Sequence, residues 1–210
     1  MATNTAGKMP QDVVLEWNPI WSSVVELHHC WSFHRDLFGT AKNNDLLMSI
    51  LPYQFLMIRI AILSYITMGI GRLLDRAGDN PNKANLSFER LLDTIKPNCS
   101  PEFYESIHNM LQETQKHSES IKAWRNKRFG HADKEMALSG ANCRLPEIEA
   151  EAFEKAVAMM RDMLKEIHKY SNGLDSTMHF PERTGDAYAL MEYLRAGHEA
   201  RQAENADNFL

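Results

Sequence analysis

Apolar positions recur at three- and four-residue steps along most of the chain and never in sustained alternation, so the pattern predicts helices and no sheet. The clearest stripe is Phe103, Ile107, Leu111, Thr114, Ser118, Ile121 and Trp124, opened by Ser100-Pro101-Glu102. There serine caps, proline takes the first helical position and an acid faces the helix dipole. A second stripe, Phe153, Val157, Met160, Leu164 and Ile167, predicts a helix from Glu147 to Tyr170 that Asn172-Gly173 ends. Nearer the N-terminus, Asn18-Pro19 reads as a helix start, with a short turn before it as an option. Ile20, Val24, Leu27, Trp31 and Phe38 follow on one face, and Gly39 offers a left-handed stop.

Thr40 to Asn44 then reads as a loop and Asp45 as the next cap, opening a long helix to about Arg76. Pro52 kinks that helix or divides it. Gly69 and Gly71 inside it point to close approach by a neighbour. Gly78 to Asn82 has loop chemistry. Ser87 caps a short helix that Pro97 ends, with Leu86 and Leu91 placed as a hydrophobic staple. Leu138 to Pro146 reads as a loop, and Thr184 to about Glu204 as a last helix with Tyr188, Met191 and Leu194 on one side. The expected fold is all-α: an up-and-down helical bundle with an additional C-terminal helix. The expected layout is a flexible tail over 1–14, a helical domain over 15–173, and a loop plus helix over 174–210.

Composition narrows the function. The 210 residues carry 23 basic against 28 acidic side chains, which argues against a broad surface for duplex DNA. Three scattered cysteines, Cys30, Cys99 and Cys143, contain no CxxC and suit a reducing, cytoplasmic setting without structural zinc. Met1 to Gln11 has no apolar core of a secretory signal. Residues 46–74 are strongly apolar, but Arg59 and Arg72 leave an uncharged run of only twelve residues between them. That suits a buried core helix better than a membrane span, which needs ~20 apolar residues.

Against this acidic background, residues 122–134 hold Lys122, Arg125, Lys127, Arg128 and Lys134 with Asp133 as the only acid. Local potential governs contact, so such a patch can still attract a phosphodiester. Continuing the apolar stripe past Trp124 lands on Arg128 and His131, with Arg125 beside it, where a core-facing position should be apolar. Arginine grips two phosphate oxygens at once, and histidine titrates near neutrality and serves as base or acid. His28, His29, Cys30 and His34 cluster without the carboxylate or second cysteine that would complete a metal-ligand set, so no metal is assigned.

Arg125-Asn126-Lys-Arg-Phe-Gly-His131 resembles the R-x4-6-H motif of the HEPN superfamily, with a polar residue directly after the arginine. Gly71-Arg72-Leu-Leu-Asp75 and Asn85-Leu-Ser87-Phe-Glu-Arg-Leu-Leu92 are similar to the AbiU-type abortive-infection branch in particular, and the resemblance covers roughly Trp17 to Tyr170. It implies a HEPN-type bundle, homodimeric and cytoplasmic, acting on RNA without a metal or other cofactor in a toxin or phage-defence setting. In that reading Arg125 binds phosphate, His131 is general base or acid, and Asn126 orients the phosphate or the imidazole. Lys122, Lys127, Arg128 and Lys134 attract RNA. A cognate antitoxin is a further partner of open type. Relatives silenced by tyrosine nucleotidylation carry Tyr-x-Tyr just after the histidine; here Ala132-Asp133-Lys134 stands instead.

Helix geometry imposes one condition on such a site. On an unbroken helix, six positions turn Arg125 and His131 about 120° apart and ~9 Å along the axis. Either Gly130 ends or distorts the helix, or a second copy contributes its motif across a two-fold axis. Two other readings stand beside the enzyme. Arg125 pairs with a carboxylate of another helix and His131 caps a helix end; or the fold is a non-catalytic helical dimer that binds RNA or protein.

Overall fold

The computed structural model describes residues 10–78, 85–129, 150–172 and 186–207, and among these every regular element is helical. The chain divides into two units, Met1–His28 with Ile66–Phe180, and His29–Tyr65 with Pro181–Leu210. Helix α1 (Gln11–Phe38) and helix α3 (Pro52–Leu73) each contribute to both. Residues 1–9 of the predicted tail and the 138–146 loop lie outside the described residues, while 11–14, expected as tail, are the first turn of α1 with Val13 buried.

The first unit is built from the start of α1, the end of α3, α4 (Phe88–Ile95), α5 (Pro101–His117), α6 (Glu119–Trp124) and α7 (Ala150–Asn172). The stripes read from the sequence are its core. Helix α5 packs on α7, with Ile107 and Leu111 buried on the one and Phe153, Val157, Met160, Leu164 and Ile167 buried on the other; Ile121 of α6 is buried as well. Each such side chain withdrawn from water contributes about 1.5–3 kcal/mol. Polar contacts fix how the helices meet. Tyr170, near the end of α7, stacks on Phe103 at 3.8 Å between centroids, and its hydroxyl accepts the Ser100 N–H at the start of α5. These two helices therefore run antiparallel. Glu16 on α1 accepts from Arg90 Nε (2.9 Å) and Thr94 Oγ1 (2.7 Å), which ties α1 to α4.

Local signals set several boundaries as expected. Ser87 Oγ accepts from Arg90 N and Ser100 Oγ from Phe103 N, each capping its helix. Pro52 divides two helices, with Leu51 in a non-helical conformation between α2 (Ala41–Ile50) and α3. Other boundaries differ. Helix α1 begins at Gln11, not at Asn18-Pro19, and carries Pro19 internally. Buried Val13 and Trp17 extend the apolar face backward, and the Trp17 indole donates to Leu164 O. Trp17 and Trp21 stack across the proline at 5.3 Å. This packing outweighs the one hydrogen bond that proline removes. Thr40, not Asp45, caps α2, its Oγ1 accepting from Asn43 N. Gly39 does end α1, but not in the left-handed region; a Cβ there would strike the Arg35 carbonyl.

In the second unit Leu37, Phe38, Leu47, Phe55, Ala187 and Met191 form the core. Helix α8 (Asp186–Asp207) thus buries Ala187 and Met191, while Tyr188 is 68% exposed instead of facing inward with Met191. His34 lies between Trp31 (stacked, 5.3 Å) and Phe38 (5.4 Å), and neither ring nitrogen has a hydrogen-bond partner among the described residues. Burial, and then the Arg59 cation, lower its pKa from 6.5 to about 4. Between those two pH values the unfolded chain binds a proton that the folded chain refuses, so stability falls as the pH drops from 6.5 toward 4. His34→Phe should flatten that part of the profile, by up to ~1.4 kcal/mol per pH unit, in melting curves compared at pH 7 and pH 4.5.

Helix α3 is not the buried core helix expected from its composition. Phe55, Ile66, Thr67, Ile70 and Leu73 are buried, yet Tyr53, Leu56, Met57, Ile58 and Tyr65 are 41–68% exposed. It is also long and apolar enough to cross a membrane by length and composition, with 28% of its most apolar stretch buried. A helix that presents apolar side chains on two faces calls for a partner on the second.

Candidate active site

The helix run that leads to the site changes its winding twice. α5 stops at His117, Ser118 sits at φ −99° and ψ 10°, and α6 continues from Glu119 to Trp124. Arg125–Phe129 then form a single π-helical turn. A π-turn adds a residue to the loop closed by each hydrogen bond and shifts the register of the residues beyond it. Gly130, where the sequence offered a distortion as one of two options, lies outside the described residues; the π-turn begins five residues earlier. The inward stripe passes from Ser118 and Ile121 to Arg125, whose side chain is only 16% exposed.

Arg125 is held from three sides. Its Nη1 donates to Asp75 Oδ2 at 2.6 Å, fifty residues back in the chain, and its Nε donates to Asn126 Oδ1 at 3.0 Å. Its aliphatic stem lies on Gly71: a Cβ there would collide with Arg125 Cδ and lie 2.9 Å from Nη1. Gly71 and Asp75, one turn apart at the end of α3, form a seat made for this one guanidinium. Both bonds leave Nη2 for a further acceptor, and the planar fork lets it reach one without giving up the other two.

The second motif stretch secures that seat. Asn85 N donates to Ala77 O at 2.9 Å, and Asn85 Nδ2 to Arg76 O at 3.2 Å. Glu89 Oε2 accepts from Ala77 N at 2.6 Å. Phe88, Leu91 and Leu92 are buried beneath. The two stretches that are adjacent to the site only in space therefore act together: one carries Gly71 and Asp75, the other clamps the backbone just after them.

Of the residues singled out from the sequence, Arg125 and Asn126 are brought together, and Lys122 and Lys127 are exposed nearby on the same helical run. Arg128 lies in the π-turn, its side chain outside the described residues, as are His131 and Lys134 altogether. Asn126 has a role not foreseen, orienting the arginine. The Arg125–carboxylate pair weighed as the plain structural reading does form, and Asp75 offsets one charge of the basic patch. Gly71 was expected to admit a neighbouring helix, and it admits the side chain of one. Among the described residues no three His, Cys, Asp or Glu gather to hold a metal ion.

Seating Arg125 depends on the missing Cβ of Gly71. Alanine is the better helix former by up to ~1 kcal/mol, so Gly71→Ala should leave the melting temperature close to wild type. It should nevertheless reduce any activity that needs Arg125 about tenfold or more by moving its stem. A melting curve and a turnover assay on the same preparation check both halves.

These features define a helical bundle that presents one buried-stem arginine at a π-turn. A family model described as AbiU2, a HEPN family, matches residues 18–189. The chain belongs to this AbiU2 family of HEPN domains, whose name ties it to abortive infection. The match runs beyond Tyr170, where the sequence resemblance stopped, to the first turn of α8. No curated protein and no solved structure matches the chain.

Proposed function

We propose that the chain is a metal-independent endoribonuclease of a toxin or phage-defence type, with a composite site formed by two copies. The observation that carries this reading is the seat of Arg125. Gly71, Asp75 and Asn126 are arranged around the stem, Nη1 and Nε of one guanidinium and, among the described residues, leave Nη2 uncommitted. A purely structural ion pair needs neither a glycine beneath the stem nor a π-turn at its root. Single π-turns are frequent at functional sites.

In this mechanism His131 takes the proton of an RNA 2′-hydroxyl, and the oxygen attacks the adjacent phosphorus. The P–O5′ bond breaks, an acid protonates the departing oxygen, and the fragments end in a 2′,3′-cyclic phosphate and a 5′-hydroxyl. Arg125 Nη2 binds a non-bridging oxygen as negative charge builds, while Asp75 and Asn126 keep the fork from turning. Lys122 and Lys127 supply long-range attraction. The exposed apolar side chains of α3, Tyr53, Leu56 and Met57 among them, favour self-association. A cytoplasmic protein restrained by a cognate antitoxin fits such an activity.

The test is incubation of the full-length protein with mixed RNA in excess chelator. Wild type should cleave, Arg125→Ala and His131→Ala should not, and light scattering should give a dimer at micromolar concentration. RNA binding without cleavage, unchanged by His131→Ala, supports the non-catalytic module instead.

A further inference from the structure

Next to the arginine seat, and sharing Gly71 with it, the first unit contains a cleft of about 600 Å³ between the end of α3 and the α5–α6 run. That volume falls within the range of small-molecule sites. Ile70, Leu74 and Leu111 give it an apolar wall. Arg76, Lys116 and Lys122 bring three cations to the lining, against Glu89 and Glu119. Three cations against two carboxylates leave the lining net positive, and Glu89 is turned to the Ala77 N–H.

One buried polar side chain in this cleft lacks a partner among the described residues. Ser118 is 3% exposed, lines the cleft, and its Oγ has no hydrogen-bond partner among the described residues. A hydroxyl in a helix ordinarily bonds the carbonyl one turn back, as Thr114 Oγ1 does to Met110 O at 2.7 Å. Ser118 stands at the break between α5 and α6 and does not do so. An unpaired buried hydroxyl is costly, and in native proteins it marks a group kept for something else. Gln112, exposed on the same lining, offers a donor and an acceptor on one amide; its neighbour Gln115 is committed to Leu74 O at 3.2 Å.

An apolar wall, an amide with both hydrogen-bonding senses, an unpaired hydroxyl and a rim of cations together fit a heterocycle carrying a phosphate. We propose that the cleft is a nucleotide subsite: a base lies against Ile70, Leu74 and Leu111, its edge reaches Gln112 and Ser118, and its phosphate meets Lys116 and Lys122. In RNA, and on the reading given above, this is the nucleotide beside the phosphate that Arg125 grips. A free mononucleotide has the same chemistry.

Calorimetric titration of the full chain with the four nucleoside 3′-monophosphates, and with a 2′-O-methyl hexanucleotide that cannot be cleaved, separates the two sources. Wild type should bind at least one mononucleotide at millimolar concentration with a preference among bases. Ser118→Ala and Gln112→Leu should each weaken it about tenfold, the loss of one good hydrogen bond. Ser118→Ala should melt no lower than wild type, because it removes an unpaired hydroxyl, while the nucleotide raises the melting temperature of wild type more than that of the variant. If the hexanucleotide competes with the mononucleotide, the source is RNA; if it does not, the cleft takes the free nucleotide. Binding should persist in His131→Ala whatever becomes of cleavage, so the two proposals fail separately. No mononucleotide binding, or binding indifferent to both cleft substitutions, overturns the subsite.

Discussion

Arg125→Lys should fold normally and lose at least about a hundredfold in RNA cleavage, although the charge is kept. A lysine ammonium can replace one of the contacts to Asp75 and Asn126 but cannot hold both in the plane of a fork and present a third donor to phosphate. Losing one fixed donor to a developing oxyanion costs about 2.7–4 kcal/mol of transition-state stabilisation, or 10²–10³ in rate. Binding of uncleaved RNA should change far less, because long-range attraction needs only charge. A fall in kcat with KM nearly constant is the signature; a rise in KM with kcat unchanged would assign Arg125 to ground-state binding.

Asp75→Ala is the second large effect, and it should act on stability and activity together. The pair is neither fully buried nor open, with side-chain exposures of 16% for Arg125 and 30% for Asp75. Its removal should therefore cost about 1–2 kcal/mol, between the values of surface and buried ion pairs. Cleavage should fall tenfold or more as the guanidinium loses its orientation. Arg125→Ala in the Asp75→Ala background should cost less stability than in wild type, since the charge no longer has a partner to lose. A double-mutant cycle on denaturant unfolding gives the coupling, expected near ~1 kcal/mol. Additive losses would mean that the contact does not hold the arginine.

The same pair shows where sequence reading reaches its limit. Periodicity found the α5–α6 face and the α7 face, because burial on one side of a helix is written into three- and four-residue steps. Ser87 and Ser100 were legible as caps, since capping is decided within four residues. Pro52 was legible as a divider for the same local reason. Asp75 and Arg125 each stood inside a motif, but their pairing was not legible, because no local rule links positions fifty apart. Gly71 announced a close approach without naming the side chain that makes it. The start of α1 was misplaced because Pro19 is a strong local signal, and burial of Val13 and Trp17 overrides it. The α3 face was misjudged in the opposite sense: an apolar composition says that a helix wants cover, not that its own chain provides it.

The site was partly legible in the same way. Arg125 and Asn126 were singled out through the resemblance to the HEPN motif, and in the structure the Arg125 Nε donates to the Asn126 Oδ1 at 3.0 Å. Ser118 was read only as a stripe position. A serine on an apolar face signals a break or a ligand, but the sequence alone does not distinguish it from a hydroxyl bonded to its own helix.

The most direct test of the central claim is the chemistry of the RNA ends produced by purified protein in excess chelator. A 2′,3′-cyclic phosphate on one fragment and a 5′-hydroxyl on the other, both lost in Arg125→Ala, are the predicted result. Ends bearing 5′-phosphate, or cleavage that needs added metal or survives loss of Arg125, would contradict it.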